Sequence, residues 1–298
     1  MKDSKGAFSS RSFKLFFLAP SFLLYTMFMI LPIALSVYYS LTNWKGAMPK
    51  KYIGLRNYIE IFTLPDYAIA LSNTGIMTLF SFVLQLPAAM LLAYLVYRTR
   101  FGFKFFRAIY FLPVVVAPVA IATMFIIFYN SDFGPINQLL KAVGLGFLQR
   151  QWLSDPKIVL YSVIMSMIWQ YVGFYFVILL AGMQSLPEEV FESSSIDGAN
   201  SFQTFFKIVF PMLWDIIAIC IILVVTGNLK SFDHIWTLTF GGPGSRSATL
   251  PVLMYQKTFY QGTNFGIGST ISTTILIYAL LFTVFFNKIS DKFSYDIK

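Results

Sequence analysis

Residues Leu186 to Leu213 read LPEEVFESSSIDGANSFQTFFKIVFPML, a polar and amphipathic stretch with a long apolar run on either side. Pro187 ends the preceding segment, because proline has no N–H to give a helix ladder. Glu188, Glu189 and Glu192 crowd the following turns, where carboxylates complement the helix dipole. Val190, Phe191, Ser194 and Ile196 are spaced to form an apolar stripe. Asp197 and Gly198 interrupt this helix, since glycine accepts the positive φ of a tight turn. Ala199 follows the turn. A second amphipathic stretch then carries Phe202, Phe205, Phe206 and Ile208, and Pro211 opens the next apolar run. A polar elbow strung between two membrane-length runs points to an all-α chain that crosses a bilayer repeatedly.

The composition agrees. Of the 298 residues, 57% are hydrophobic, 18% aromatic and only 12% charged, whereas a soluble domain carries roughly twice that share of charge. The formal net charge of +9 raises the question of nucleic acid. No basic stripe with interleaved aromatics occurs, so nucleic-acid binding is not expected. Basic residues facing anionic lipid account for the charge more simply. Cys220 is the single cysteine; inside an apolar run it reads as a small packing residue.

Apolar runs of about 20 residues recur. They predict six spans: Leu15–Tyr39, Asn73–Tyr97, Ile109–Tyr129, Ile158–Ala181, Val209–Leu229 and Gly266–Phe286. The first is too long for a signal-peptide core and has no small-residue cleavage site, so it reads as a retained helix bent at Pro20 and Pro32. Arg98, Arg100, Lys104 and Arg107 form a short basic loop free of acids, which keeps that side in the cytoplasm. With an even number of spans, both termini are then cytoplasmic. The 40–72 connection is also basic, through Lys50 and Lys51, but the shorter and denser loop carries more weight. Residues 130–157 are expected outside, with a small amphipathic helix at Gly134–Leu140. The expected organisation is 1–72, first helix and outer connection; 73–287, the main membrane domain with the elbow at 186–213; and 288–298, a cytoplasmic tail.

Glu192-Ser193-Ser194-Ser195-Ile196-Asp197-Gly198, followed by Ile208-Val209-Phe210-Pro211, resembles the EAA loop of ABC-importer permeases. Serines 193 and 194 stand where alanines are usual, and Phe210 where leucine is usual. Serine is small enough to keep a close helix contact. Ser231-Phe232-Asp233 with Gly241-Gly242-Pro243-Gly244 resembles the binding-protein-dependent carbohydrate (MalF/UgpA-like) branch. The resemblance implies a type I importer (MetI-like) permease fold in a bacterial inner (cytoplasmic) membrane. It implies a second homologous permease, two ABC ATPase subunits, an extracytoplasmic solute-binding protein, and a sugar or oligosaccharide as substrate. It also implies that the helix through Glu188, Glu189 and Glu192 enters a cleft of the ATPase and ends at Asp197, Gly198 and Ala199. Glu192 would there meet a basic residue, with Val190, Phe191 and Ser194 turned toward the partner's groove.

No phosphate-loop signature is present, so ATP hydrolysis is expected on a separate polypeptide and this chain is not expected to be an enzyme. No paired-cysteine or H-E-x-x-H spacing supports a metal, and no cofactor is expected. His234, the one histidine, reads as a packed or hydrogen-bonded residue. Gly262-x-x-x-Gly266 fits either a helix-dimer motif or a loop.

Polar groups at membrane depth are costly and mark pathways. Met167, Gln170, Tyr171 and Phe174 share one face of the fourth span, flanked by Trp169 and Tyr175. Aromatic rings can stack on the C–H faces of a sugar while the amide bonds its hydroxyls; helix packing would use the same face equally well. Gly227, Asn228 and Ser231 form a second face near the end of the fifth span. The resembling permeases place their substrate contacts on these two helices. Lys230 and Asp233 are spaced to pair with each other, and Gln85 and Asp215 are weaker candidates. The competing reading is a self-contained carrier or channel driven by an ion gradient, which calls for internal repeats or membrane-embedded carboxylates.

Overall fold

The computed structural model describes residues 11–46, 50–99 and 102–292. Arg100, used above to orient the chain, lies outside the described residues. Two compact units are present: Met1–Thr63 with Met254–Thr274, and Leu64–Leu253 with Ile275–Lys298. Among the described residues there is no strand, and the single isolated bridge joins Thr42 to Tyr52.

In the first unit, α1 (Arg11–Tyr25) runs through a π-helical turn at Thr26–Ile30 into α2 (Leu31–Ser40). The apolar stretch of the span Phe16–Ser40 has no buried residue, and burial begins only at its end, at Ser40. Its apolar side chains, Phe16 and Phe28 among them, face outward. A short helix, α3 (Arg56–Thr63), folds back on its end. Asn57 Nδ2 donates to the carbonyls of Ser40 and Thr42, both at 2.8 Å. Trp44 stacks on Phe265 at 4.6 Å, and the Gly266 amide donates to the Trp44 carbonyl at 2.9 Å. A Cβ on Gly266 would run into the Thr42 carbonyl. Gly266 therefore serves an internal contact, and Gly262 lies in the preceding loop; the helix-dimer reading does not hold here.

In the second unit, α4 (Pro65–Phe80), a π turn at Ser81–Gln85 and α5 (Leu86–Arg98) make one helix of 34 residues. It starts eight residues before the expected Asn73, because Leu64 is extended and Pro65 supplies the fixed φ of a first helical position. α6 (Phe103–Val115) and α7 (Pro118–Phe128) follow, then α8 (Pro135–Ala142) and the long α9 (Val159–Gln184). The elbow comprises α10 (Glu188–Ile196), α11 (Ser201–Thr204), a π turn at Phe205–Val209 and α12 (Phe210–Met212). α13 (Trp214–Lys230), α14 (Asp233–Thr239) and α15 (Leu250–Tyr255) precede a π turn at Gln256–Tyr260. The last helix, α16 (Phe265–Ser290), runs through both units.

Two expected spans are not straight. The pair α6 and α7 is bent by 93°, and Ser201–Met212 meets Trp214–Lys230 at 73°. Among the described residues four helices are long and apolar enough to cross a membrane, or up to six if each bent pair counts as one span. Proline sets the first break: Val116 and Ala117 are extended just ahead of Pro118, as the residue before proline avoids helical geometry. Lys104 and Arg107, read as loop residues, lie within α6, so the basic turn is shorter than expected. The fifth helix starts at Trp214 instead of Val209.

Prolines also explain three of the π turns. Leu31, Leu86 and Phe210 each donate to the carbonyl five residues back and each precedes a proline. A proline ring collides with the carbonyl four residues back and brings no N–H. Widening the turn by one residue relieves both problems.

The second unit has two apolar clusters. One gathers Ala89, Ala93, Phe176, Leu180, Met183 and Leu213. The other gathers Met77, Phe125, Val163, Ile164, Met167 and Ile235. Helix α9 contributes to both and forms the axis of the unit. Gly173 lets it approach α6 so closely that a Cβ would strike the Tyr110 carbonyl.

Candidate functional site

Two places carry the features singled out in the sequence: the elbow α10–α12, and a cavity among α4–α5, α9 and α13. In α10, Glu188 and Glu189 occupy the first turn, where they complement the dipole. Glu188, Glu189, Glu192, Asp197 and Gly198 are exposed, and Ala199 is half-buried. The inward side is Val190, Phe191 and Ser194. Phe191 packs on Tyr97 of α5 at 5.4 Å, and the Ser194 hydroxyl donates to the Phe191 carbonyl at 2.8 Å. Phe191 thus packs on its own chain, Ser194 bonds within its own helix, and Val190 is half-buried. Ile196 leaves the expected stripe and is 86% exposed beside the acids. The free face is thus acidic with one large aliphatic at its end.

The turn is fixed from both sides. Gly198 has φ +73°, and the Ala199 amide donates to the Ser194 carbonyl at 3.0 Å, the six-to-one bond that closes a helix in a left-handed cap. Two residues on, the Gln203 amide donates to Asn200 Oδ1 and the Asn200 amide to Gln203 Oε1, both at 2.9 Å. This capping box starts the return helix at once. The sequence reading missed it, although N-x-x-Q directly after the glycine is its signature. It also missed Tyr94 and Arg98, whose side chains donate to the Ser201 carbonyl (3.0 Å) and the Ser201 hydroxyl respectively. They moor the elbow to the end of α5.

The cavity has a volume of about 510 Å³, within the roughly 300–1,000 Å³ typical of small-molecule sites. Met167, Tyr171 and Phe174 of α9 line it, as do Gly227 and Asn228 of α13 and the following Ser231. A Cβ on Gly227 would meet nothing. Asn228 Nδ2 donates to Ser81 Oγ at 3.0 Å, and the Ser231 hydroxyl lies 3.8 Å from Met167 Sδ. Ser81 and Gln85 sit on the π turn of the second span and both line the cavity. Val114 and Pro118, flanking the break between α6 and α7, also line it. Tyr175 lines it as well, whereas Trp169 packs against Phe125 at 5.6 Å.

Gln170 does not line the cavity. It is fully buried, and its Nε2 donates to the carbonyls of Val116 (3.0 Å) and Pro113 (3.3 Å). The break leaves carbonyls at the end of α6 without helical partners, and the amide satisfies them from the neighbouring helix. Asp215 is exposed in the first turn of α13, away from the cavity. Lys230 and Asp233 both line the cavity but form no ion pair with each other. His234, read as a packed residue, also lines it. It is 2% exposed, and burial pushes its pKa down to about 4, so the ring is neutral near pH 7. Among the described residues no group of acids, histidines or cysteine is placed to hold a metal ion.

Residues 85–292 match the family described as "Binding-protein-dependent transport system inner membrane component". A Pyrococcus horikoshii protein described as "Probable ABC transporter permease protein" is 36% identical over 267 residues, covering 89% of this chain and 91% of that one. The lactose transport system permease protein of Rhizobium radiobacter is 30% identical over 264 residues, covering 88% of each. Among solved structures, a bacterial alginate ABC transporter in complex with an alginate pentasaccharide-bound periplasmic protein has a chain that aligns with TM-score 0.82. That alignment is 22% identical and covers 93% of both chains.

Proposed function

This chain belongs to the binding-protein-dependent transport system inner membrane components, and from that premise we propose that it lines one half of a sugar pathway and couples that pathway to an ATPase. It is a permease subunit of an ABC importer and not itself an enzyme; hydrolysis of ATP falls to separate subunits. A second permease and a solute-binding protein complete the importer. The substrate is a sugar or oligosaccharide, in keeping with the lactose permease among its relatives. The observation that supports the pathway is the cavity itself: aromatic Tyr171 and Phe174 and polar Asn228 and Ser231 line it together. Rings for C–H faces and small polar groups for hydroxyls are what a sugar needs.

The coupling role rests on the exposed acids of α10. Glu188, Glu189 and Glu192 present negative charge, whereas helices that lie on anionic inner leaflets are usually basic. A basic cleft on a cytoplasmic ATPase is their natural partner. Asp197, Gly198 and Ala199 form the elbow that returns the chain to the membrane. The proposed orientation puts both termini and the elbow in the cytoplasm and residues 130–157 outside. The proposed division is 1–72, 73–287 and 288–298.

The test is copurification followed by transport. Tagged chain extracted from host membranes should bring down a second permease and an ABC ATPase. Asn228→Leu and Tyr171→Ala should each cut sugar uptake by the intact complex while assembly is kept. Recovery of the chain without an ATPase would refute the coupling role, and normal uptake by both variants would place the pathway elsewhere.

A further inference from the structure

His234 stands at the start of α14, one turn beyond the cavity residue Ser231. Its ring is 2% exposed. Among the described residues, neither Nδ1 nor Nε2 has a hydrogen-bonding partner. Buried polar atoms almost always have one, and a buried group left without it carries a desolvation penalty. The next residue, Ile235, is fully buried and belongs to the apolar cluster beneath. α14 therefore cannot roll to take His234 to solvent. His234 is one of the residues that line the cavity.

We propose that His234 is a substrate-contacting, specificity-determining residue of this cavity, and that it recognises a hydroxyl group. The inference deepens the sugar-pathway reading and rests on it. A neutral imidazole offers one N–H donor and one lone-pair acceptor. A hydroxyl also donates and accepts, so a polyol can satisfy both ring nitrogens from neighbouring hydroxyls. A carboxylate accepts only and would leave the lone-pair nitrogen facing an anion. An ammonium group donates only and would leave the N–H unmatched. Lys230 and Asp233 line the same end of the cavity without pairing to each other. Their opposite charges leave this end with no net preference for an ionic substrate, and each is able to bond further hydroxyls. A chain with one histidine thus holds it where a polar ring is costly unless something polar arrives.

The experiment uses the complete importer in proteoliposomes with its binding protein. Labelled glucose, maltose, trehalose, lactose and raffinose are the probes, and the best transported one is then compared with its monodeoxy analogues. His234→Leu should raise the half-saturation concentration about tenfold, the effect of losing a buried hydrogen bond, with the complex still assembled. It should also abolish discrimination against one particular monodeoxy analogue that the unaltered importer rejects. A purely structural histidine would not produce that second change. Should the leucine variant fail to assemble, His234→Gln is read instead: its amide presents donor and acceptor at other positions, so preference among the same analogues must shift. If Asn228→Leu impairs uptake but the His234 variants keep both half-saturation and analogue preference, the inference fails and the pathway stands. If none of the five sugars is carried, or if Asn228→Leu and Tyr171→Ala are also silent, the sugar-pathway reading fails and takes the inference with it.

Discussion

Gln170 shows how a side chain read as costly at membrane depth can find partners for its amide N–H inside the protein. An amide at membrane depth demands partners, and the i, i+3, i+4 spacing with Met167, Tyr171 and Phe174 placed it on their face. The structure gives it different partners: the carbonyls freed where α6 ends at Val115. Those carbonyls are orphaned by Pro118, which lies far away in sequence, and no local pattern links the two. Replacing Gln170 with leucine keeps the bulk and leaves both carbonyls unsatisfied, at about 1–3 kcal/mol. The expected outcome is a lower thermal midpoint for the purified complex. An unchanged midpoint would mean that the amide is not holding the break. Gly173, one turn along α9, is less forgiving. Any Cβ there meets the Tyr110 backbone, which cannot swing aside as a side chain would. Gly173→Ala is expected to destabilise by roughly 1–3 kcal/mol, the range for overpacking a close contact, and to lower the yield of assembled complex. Gly227→Ala, which meets open space, is the control that should assemble normally.

At the scale of elements, the elbow was largely legible and the bent spans were not. Pro187, the acids of the first turns and Gly198 fixed the extent of α10, since caps and breakers act locally. Val190, Phe191 and Ser194 read as a docking stripe, and the structure adds that Phe191 of that stripe packs on Tyr97 of α5. Only long-range packing could reveal this. The bend at Val116–Ala117 lies inside an unbroken apolar run, where hydropathy cannot see it, and the bend at Leu213 is marked only by the nearby Asp215. The prolines could have exposed the first, together with the π turns ahead of Pro32, Pro87 and Pro211. The cavity was half legible for the same reason: α9 and α13 supply a face each, while Ser81 and Gln85 enter through a π turn. Two changes test the elbow. Gly198→Val has room for its side chain, so its whole effect is the backbone, where a β-branched residue at φ +73° is an outlier. It should open the cap and uncouple ATP hydrolysis from uptake. Glu192→Ala removes exposed charge without touching the fold, and should weaken ATPase retention about tenfold or more if the carboxylate pairs across the interface. Full uptake with normal ATPase stimulation in both variants would count decisively against the coupling assignment.

For the whole molecule, the open question with physical consequences is which way the six crossings run. Charge decides it. Arg98, Lys104 and Arg107 cluster where the second span ends and the third begins, and Lys104 and Arg107 remain at that end although they lie within α6. Lys288 and Lys292 stand at the close of α16, again beside the end of a span. The contrary signal came from Lys50 and Lys51 in the first connection. The structure weakens it: the Lys50 ammonium lies 4.2 Å from the Tyr39 ring centroid and 4.5 Å from that of Trp44. A cation held over two aromatic faces is engaged locally and says less about the side of the membrane. Residues 130–157, by contrast, form an ordered polar cap. Asn137 Nδ2 donates to the carbonyls of Ser131 and Arg150 at 3.0 and 3.1 Å, and Asn137 Oδ1 accepts from Trp152 Nε1 at 2.9 Å. A cap of that kind keeps its exposed positions accessible. Lys104 and Lys141 are both exposed, and the native Cys220 is fully buried, so single cysteines can be placed at either lysine with little background. In sealed cells a membrane-impermeant maleimide should label Lys141→Cys and spare Lys104→Cys until the membrane is opened. Labelling of Lys104→Cys in intact cells would reverse the orientation, moving α10 outside and removing any route by which a cytoplasmic ATPase could reach Glu192.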